Sequence, residues 1–116
     1  MIVFLLDVGS ECRNAMVQCL REDIKIKSVN VFEDYIAFIE QVGKILPDLC
    51  FIRLGVDKIP GLTAARMVKQ IGVDSRIVFL SEDEYDALEA YEIGAYGYLL
   101  YPVVKEKLEN ILAKVG

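Results

Sequence analysis

The polar side chains best placed to do chemistry stand where short apolar runs stop. Asp7 follows Ile2-Val3-Phe4-Leu5-Leu6, and Arg53 follows Leu49-Cys50-Phe51-Ile52. Ser81 and Glu82 follow Ile77-Val78-Phe79-Leu80, and Tyr101-Pro102 follows Tyr98-Leu99-Leu100. Asp57 lies a few residues beyond Arg53. Asp7 and Glu82 have the residue types of an acid–base pair, but one site carboxylate beside one solvated loop acid is the plainer reading. Arg53 carries a fixed cation suited to a carboxylate or another anion. Histidine is absent, which removes the commonest general base, metal ligand and partner of a nucleophilic serine. No Gly-x-Gly-x-x-Gly or Gly-x-x-x-x-Gly-Lys follows the first apolar run, so dinucleotide and P-loop nucleotide binding are disfavoured.

The elements that must position these residues alternate between short apolar runs and amphipathic stretches. Ile2 to Leu6 reads as a buried strand. Ser10 is placed to cap a helix with Cys12, Ala15, Met16, Cys19 and Leu20 on its apolar face. Ile26 to Val31 reads as a more polar strand at a sheet edge. Glu33 to about Val42 reads as a second helix with Ile36, Ile39 and Tyr35 inward, and Gly43 and Pro47 punctuate the stretch after it. Leu49 to Ile52 is apolar on both faces, as a central strand of a parallel sheet is. Leu54 to Pro60 reads as a loop, and Gly61 opens a third helix with Leu62, Ala65 and Val68 inward. After the strand at Ile77 to Leu80 a fourth helix runs from about Glu84 to Ile93, stopped by Gly94. Tyr98 to Leu100 is the last strand. The last helix, Val104 to Val115, carries Leu108, Ile111, Leu112 and Val115 on one stripe. Strict alternation of this kind predicts an α/β domain, an open parallel sheet with helices on both faces, over residues 1–116. Sites in such sheets form at the carboxyl ends of the strands, where Asp7, Arg53, Ser81 and Tyr101 lie.

The 116 residues are 54% hydrophobic and 27% charged, enough apolar material for a core without metals or disulfides. The net charge of −5 and the lack of a Lys/Arg run argue against binding of nucleic acid or anionic lipid. Cys12, Cys19 and Cys50 are odd in number and form no Cys-x-x-Cys, so small core hydrophobes in a reducing, cytoplasmic setting are expected. The apolar start at Met1 to Leu6 is too short for a signal peptide core, and no stretch reaches membrane-spanning length.

Order and spacing resemble the response-regulator receiver domain from Ile2 to about Val115. The most specific stretches are Ile77-Val78-Phe79-Leu80-Ser81 and Gly94-Ala95-Tyr96-Gly97-Tyr98-Leu99-Leu100-Tyr101-Pro102, with Pro47-Asp48-Leu49-Cys50-Phe51-Ile52 and Gly61 beside them. Glu84-Tyr85-Asp86-Ala87-Leu88-Glu89-Ala90 is similar to receivers that precede LytTR-type DNA-binding domains. The resemblance implies a flavodoxin-like (βα)5 sheet in strand order 2-1-3-4-5 and a signalling module rather than an enzyme.

Receivers accept a phosphoryl group from a histidine kinase on an aspartate at the end of the third strand. An acidic pair after the first strand helps hold Mg²⁺, while a hydroxyl after the fourth strand and a lysine after the fifth bind phosphoryl oxygens. Carried onto this chain, the acceptor position holds Arg53, the acidic pair is Asp7 with Val8, and the lysine position holds Tyr101. The hydroxyl remains as Ser81 and the switch aromatic as Tyr98; Asp57 stands where the family often has proline. Arg53 cannot become an acyl phosphate, and its cation repels Mg²⁺, so neither phosphorylation there nor a metal cofactor is expected. Either Arg53 reaches Asp7 as a bidentate pair in place of the ion, or its head snorkels to solvent. Asp57 is an alternative acceptor, its plainer reading a solvated turn residue. The Tyr101-Pro102 bond is a candidate cis bond. The face of helix four, strand five and helix five, with Glu89, Ala90, Tyr98, Lys105 and Lys107, is expected to pair domains in a homodimer or dock protein partners. If the chain is a fragment, a C-terminal DNA-binding domain serving transcription regulation is expected. A small-ligand site on the same scaffold is the remaining alternative.

Overall fold

The computed structural model describes residues 1–7, 13–55, 57–71 and 74–115. In chain order the elements are β1 (Ile2–Leu6), α1 (Arg13–Glu22), β2 (Ser28–Phe32), α2 (Tyr35–Ile45), β3 (Leu49–Arg53), α3 (Ile59–Ile71), β4 (Arg76–Ser81), α4 (Ala87–Ile93), β5 (Gly97–Leu100) and α5 (Lys105–Val115). The five strands form one parallel sheet in the order β2-β1-β3-β4-β5. β3 is the central strand and helices cover both of its faces, which is why its run is apolar on both.

Strand alternation sorts the core into two layers. Phe4, Cys50, Ile52, Ile77 and Phe79 face α2, α3 and α4, where Phe38, Val42, Leu62, Ala65, Val68 and Ala90 meet them. Val3, Leu5, Phe51, Val78, Leu80 and Leu99 face α1 and α5, against Met16, Leu20, Leu108 and Leu112. Phe4, Phe32 and Phe38 form an aromatic trio with centroids 4.8 to 6.1 Å apart.

Several local expectations are corrected. β2 starts at Ser28: the Ile26 N–H closes the turn after α1 on Asp23 O, and the Lys27 N–H donates to Met1 O just ahead of the strand. α2 runs through Gly43 and ends at Leu46, which takes the left-handed φ of 58° and donates its N–H to Val42 O. Its buried residues are Phe38 and Val42, and Ile39 packs against the core as expected, while Ile36 and Tyr35 are exposed. In α1 Ala15 is exposed and Val17 takes the inward place. α3 starts at Ile59, ahead of Gly61, because Asp57 accepts the Ile59 N–H and opens the turn early. α4 starts at Ala87 rather than Glu84, since Asp83 accepts the Tyr85 N–H and Asp86 stands at the N-cap position. The expected cap at Ser10, together with Cys12 and Val8, lies outside the described residues. Among the described residues no helix is long and apolar enough to cross a membrane.

Candidate functional site

Parallel strands bring their carboxyl ends to one edge, and register sets who meets there. Asp7, one residue past β1, is fixed by its N–H to Phe32 O at 2.9 Å. Arg53 closes β3 opposite Leu80. Tyr101 follows β5 and donates its N–H to Ser81 O at 2.7 Å. The Tyr101-Pro102 bond is cis.

Asp7 is completely buried. Its Oδ2 accepts from the Tyr101 hydroxyl at 3.2 Å. Arg53 Nη1 stands 3.9 Å from the other oxygen, an ion pair too long to be a hydrogen bond. The guanidinium carbon lies 5.1 Å from the centre of the Tyr101 ring, and Nη2 donates to Glu82 Oε1 at 3.3 Å. Stacking on Tyr101 and reaching for Glu82 hold the guanidinium short of Asp7. The bidentate pair does not form, and neither does a solvated snorkel, since the Arg53 side chain is only 18% exposed. Asp7 Oδ1 and Arg53 Nε are left buried without a hydrogen-bond partner. Glu82 is the solvated loop acid, 73% exposed. Arg53 and Tyr101 therefore stand on the same carboxylate.

Ser81 is buried, and its Oγ accepts from the Asp83 N–H at 3.4 Å. Tyr98 packs against the core, and its hydroxyl donates to Asp83 O at 2.7 Å. Burial pushes this phenol above its ordinary pKa, against the hydrogen bond with Ser81. Asp57 is engaged at the start of α3 rather than aimed at Arg53. Two clefts open beside Arg53. One, of about 390 Å³, is lined by Leu6, Tyr35, Arg53, Gly55, Asp57, Pro60 and Gly61. The other, of about 340 Å³, includes Lys58, Ser81, Glu82 and Asp83.

Lys58 is the residue that sequence reasoning missed. Its Nζ lies 2.7 Å from Asp83 Oδ2 and 2.6 Å from Asp86 Oδ2. The two carboxylates hold the ammonium well above its ordinary pKa, and Lys58 in turn lowers that of Asp83. The signal available was the acidic stretch Glu82 to Asp86 facing a single loop lysine, with nothing in one dimension to pair them.

The expected partner-docking face changes composition. Ala90 is fully buried and Tyr98 turns inward, because α4 sets its small residue against the sheet. Exposed there are Leu88, Tyr91 and Leu100, with Lys105 and Lys107 on α5. Glu89 is engaged by Arg66 at 2.8 Å.

At the edge where the receiver pattern expects Mg²⁺, a guanidinium stands 3.9 Å from Asp7 Oδ1 and donates to Glu82 at 3.3 Å. Among the described residues no three His, Cys, Asp or Glu side chains gather as a metal site.

Residues 3–113 match the model of the response regulator receiver domain. The transcriptional regulatory protein BtsR of Escherichia coli K12 is 33% identical over 116 residues, which cover 97% of this chain and 47% of that protein. The transcriptional regulatory protein YpdB of the same strain is 23% identical over 96 residues, 83% of this chain and 39% of that protein. The chain spans about half the length of the curated relatives it matches. Among solved structures, the response regulatory domain of protein mrkE from Klebsiella pneumoniae superposes with a TM-score of 0.88 at 21% identity, over 99% of this chain and 94% of the other. The response regulator domain of Thermotoga maritima CheB gives 0.82 at 17% identity, over 99% and 96%. At such identities these two speak for the fold alone.

Proposed function

The chain belongs to the response regulator receiver domain family, and from that premise we propose that it is a receiver whose output is independent of phosphorylation, acting in the cytoplasm as a protein-interaction module of a transcription regulator. The observation that carries this reading is the surroundings of Asp7. The acceptor position is a guanidinium 3.9 Å from one carboxylate oxygen, and the tyrosine at the lysine position donates to the other. A nucleophilic carboxylate, a second metal ligand and a phosphoryl-binding ammonium are thereby replaced by a neutral pair that needs no ion. Asp57, already accepting the Ile59 N–H, is a poor substitute acceptor. Partners engage the domain through the exposed apolar side chains around α4 and β5, by self-association or by docking of other proteins. DNA contact belongs to a further domain such as the one that the relatives' description as transcriptional regulators suggests.

Incubation with phosphoramidate and Mg²⁺, read by intact mass, tests the central point. No phosphoryl adduct is expected; a stoichiometric, Mg²⁺-dependent adduct, on Asp57 or elsewhere, overturns the reading. A second reading, a small-ligand site, is favoured by the cleft of about 390 Å³ over Arg53 and by the unpartnered Nε beside it. Titration with small aromatic carboxylates, followed at the Arg53 side-chain resonances, supports that reading if shifts saturate and removes it if they do not.

A further inference from the structure

Asp83 is held at all of its polar atoms. Its N–H donates to Ser81 Oγ at 3.4 Å and its carbonyl accepts from Tyr98 at 2.7 Å. Its Oδ1 accepts from the Tyr85 N–H at 3.0 Å and its Oδ2 from Lys58 at 2.7 Å. Of these partners only Lys58 comes from outside the stretch from β4 to β5. The lysine stands immediately before α3, and its second contact, Asp86, stands immediately before α4. One ammonium thus ties the starts of two helices together. α4 is 7 residues long with Ala90 as its buried residue; Ile93 packs against the core and Arg66 engages Glu89, but Lys58 is the contact at its start.

We propose that Lys58 is a built-in tie that holds the β4–α4 loop and the start of α4 in one setting, so that Ser81 and Tyr98 keep a single arrangement without any modification of the chain. Lys58 is a positioning residue here. It acts on Tyr98 through the Asp83 backbone, and on the exposed Leu88 and Tyr91 by fixing the helix that carries them. Its side chain is 26% exposed and can be altered without opening the core. The raised ammonium pKa is consistent with a cation that stays charged between two carboxylates. The tie goes beyond the proposed function, and it stands whether or not Arg53 excludes a phosphoryl group.

The test is amide hydrogen exchange by NMR on wild type, Lys58→Met and Lys58→Arg, with ¹⁹F spectra of fluorotyrosine-labelled protein assigned through Tyr98→Phe. No phosphate donor or metal enters it, so its outcome is separate from that of the phosphoramidate experiment. In Lys58→Met, exchange across residues 83–93 is expected to quicken by roughly tenfold or more, as local opening becomes easier, while β1 and β3 keep their protection. The Tyr98 resonance shifts or broadens, Lys58→Arg restores both, and Asp86→Asn reproduces part of the effect from the other side. Unchanged exchange and an unmoved Tyr98 resonance in Lys58→Met, or faster exchange that Lys58→Arg does not repair, overturns the proposal.

Discussion

Among the described residues the buried Asp7 carboxylate has one hydrogen bond, from Tyr101, and that makes its two neighbours unequal. Tyr101→Phe removes the donor to Oδ2 and leaves a buried acceptor unpaired, at a cost of about 1–3 kcal/mol. Arg53→Met removes an ion pair of 3.9 Å from a side chain already 18% exposed; its cost is expected to fall below the 3–5 kcal/mol typical of a tight buried pair, at roughly 1–2 kcal/mol. Urea unfolding checks the order, Tyr101→Phe being at least as damaging as Arg53→Met. Cys50 supplies a pH prediction. Burial pushes its thiol from 9.0 up to about 12, with Ser75 and Lys69 opposing. The folded state favours the neutral thiol, so this contribution is intact below about 9 and is lost as pH rises from there toward 12. Native protein at pH 8 should leave Cys50 unlabelled by a maleimide under conditions where half-buried Cys19 reacts, as peptide mapping would show. The positions of Arg53, Tyr101, Ser81 and Tyr98 at strand ends were legible because each follows an apolar run. Their geometry was not legible, since the stacking of Arg53 on Tyr101 joins residues 48 positions apart in the chain and is decided by register.

At the scale of elements, small residues bring α3 and α4 close to the sheet. Gly61 packs the start of α3 onto the end of β3: a Cβ there would stand 2.6 Å from Leu54 Cδ2 and 3.5 Å from Arg53 O. Gly61→Ala is expected to cost about 1–3 kcal/mol through overpacking and to move the Arg53 resonances. Gly94 ends α4 at φ 106°, so Gly94→Ala is expected to cost about 1 kcal/mol or more in thermal or urea unfolding. The tie from Lys58 has its own pH window. Asp83 is lowered from 3.8, so its share is present above that value and is lost as pH falls through the folded value; Lys58 is raised from 10.5, so its share is present below that and is lost above it. With Asp86 and Tyr98 as the other titratable groups facing it, the tie should leave protection in the β4–α4 loop, taken relative to the intrinsic exchange rate at each pH, flat between about pH 5 and 9. The order of strands and helices was legible from period and breakers, while the bounds of β2, α2 and α3 were off by one to three residues. α4 was misplaced by three residues because Asp83 and Asp86 look like a helical first turn in sequence, yet one accepts a turn N–H and the other stands at the N-cap position.

At the scale of the molecule, a parallel sheet in the order β2-β1-β3-β4-β5 places the ends of β1 and β3 side by side, with the end of β4 next to β3 and that of β5 beyond it. Alternation of strands and helices pointed to this layered architecture, and the strand order came from the family resemblance rather than from any local pattern. The same topology gathers Asp7, Arg53, Ser81 and Tyr101 at one edge, and what distinguishes this chain is the chemistry placed on that shared geometry. Under the proposed function, the edge that sets Arg53 beside Asp7 serves neither as a metal site nor as a nucleophile. The direct measurement is an amide NMR spectrum with and without Mg²⁺ and beryllofluoride, a mimic of the phosphorylated carboxylate. Under the proposed function, resonances of Arg53, Ser81 and Tyr98 stay where they are at saturating reagent. Saturable shifts at these residues would mean that the site takes a metal and a phosphoryl group after all, and would contradict it.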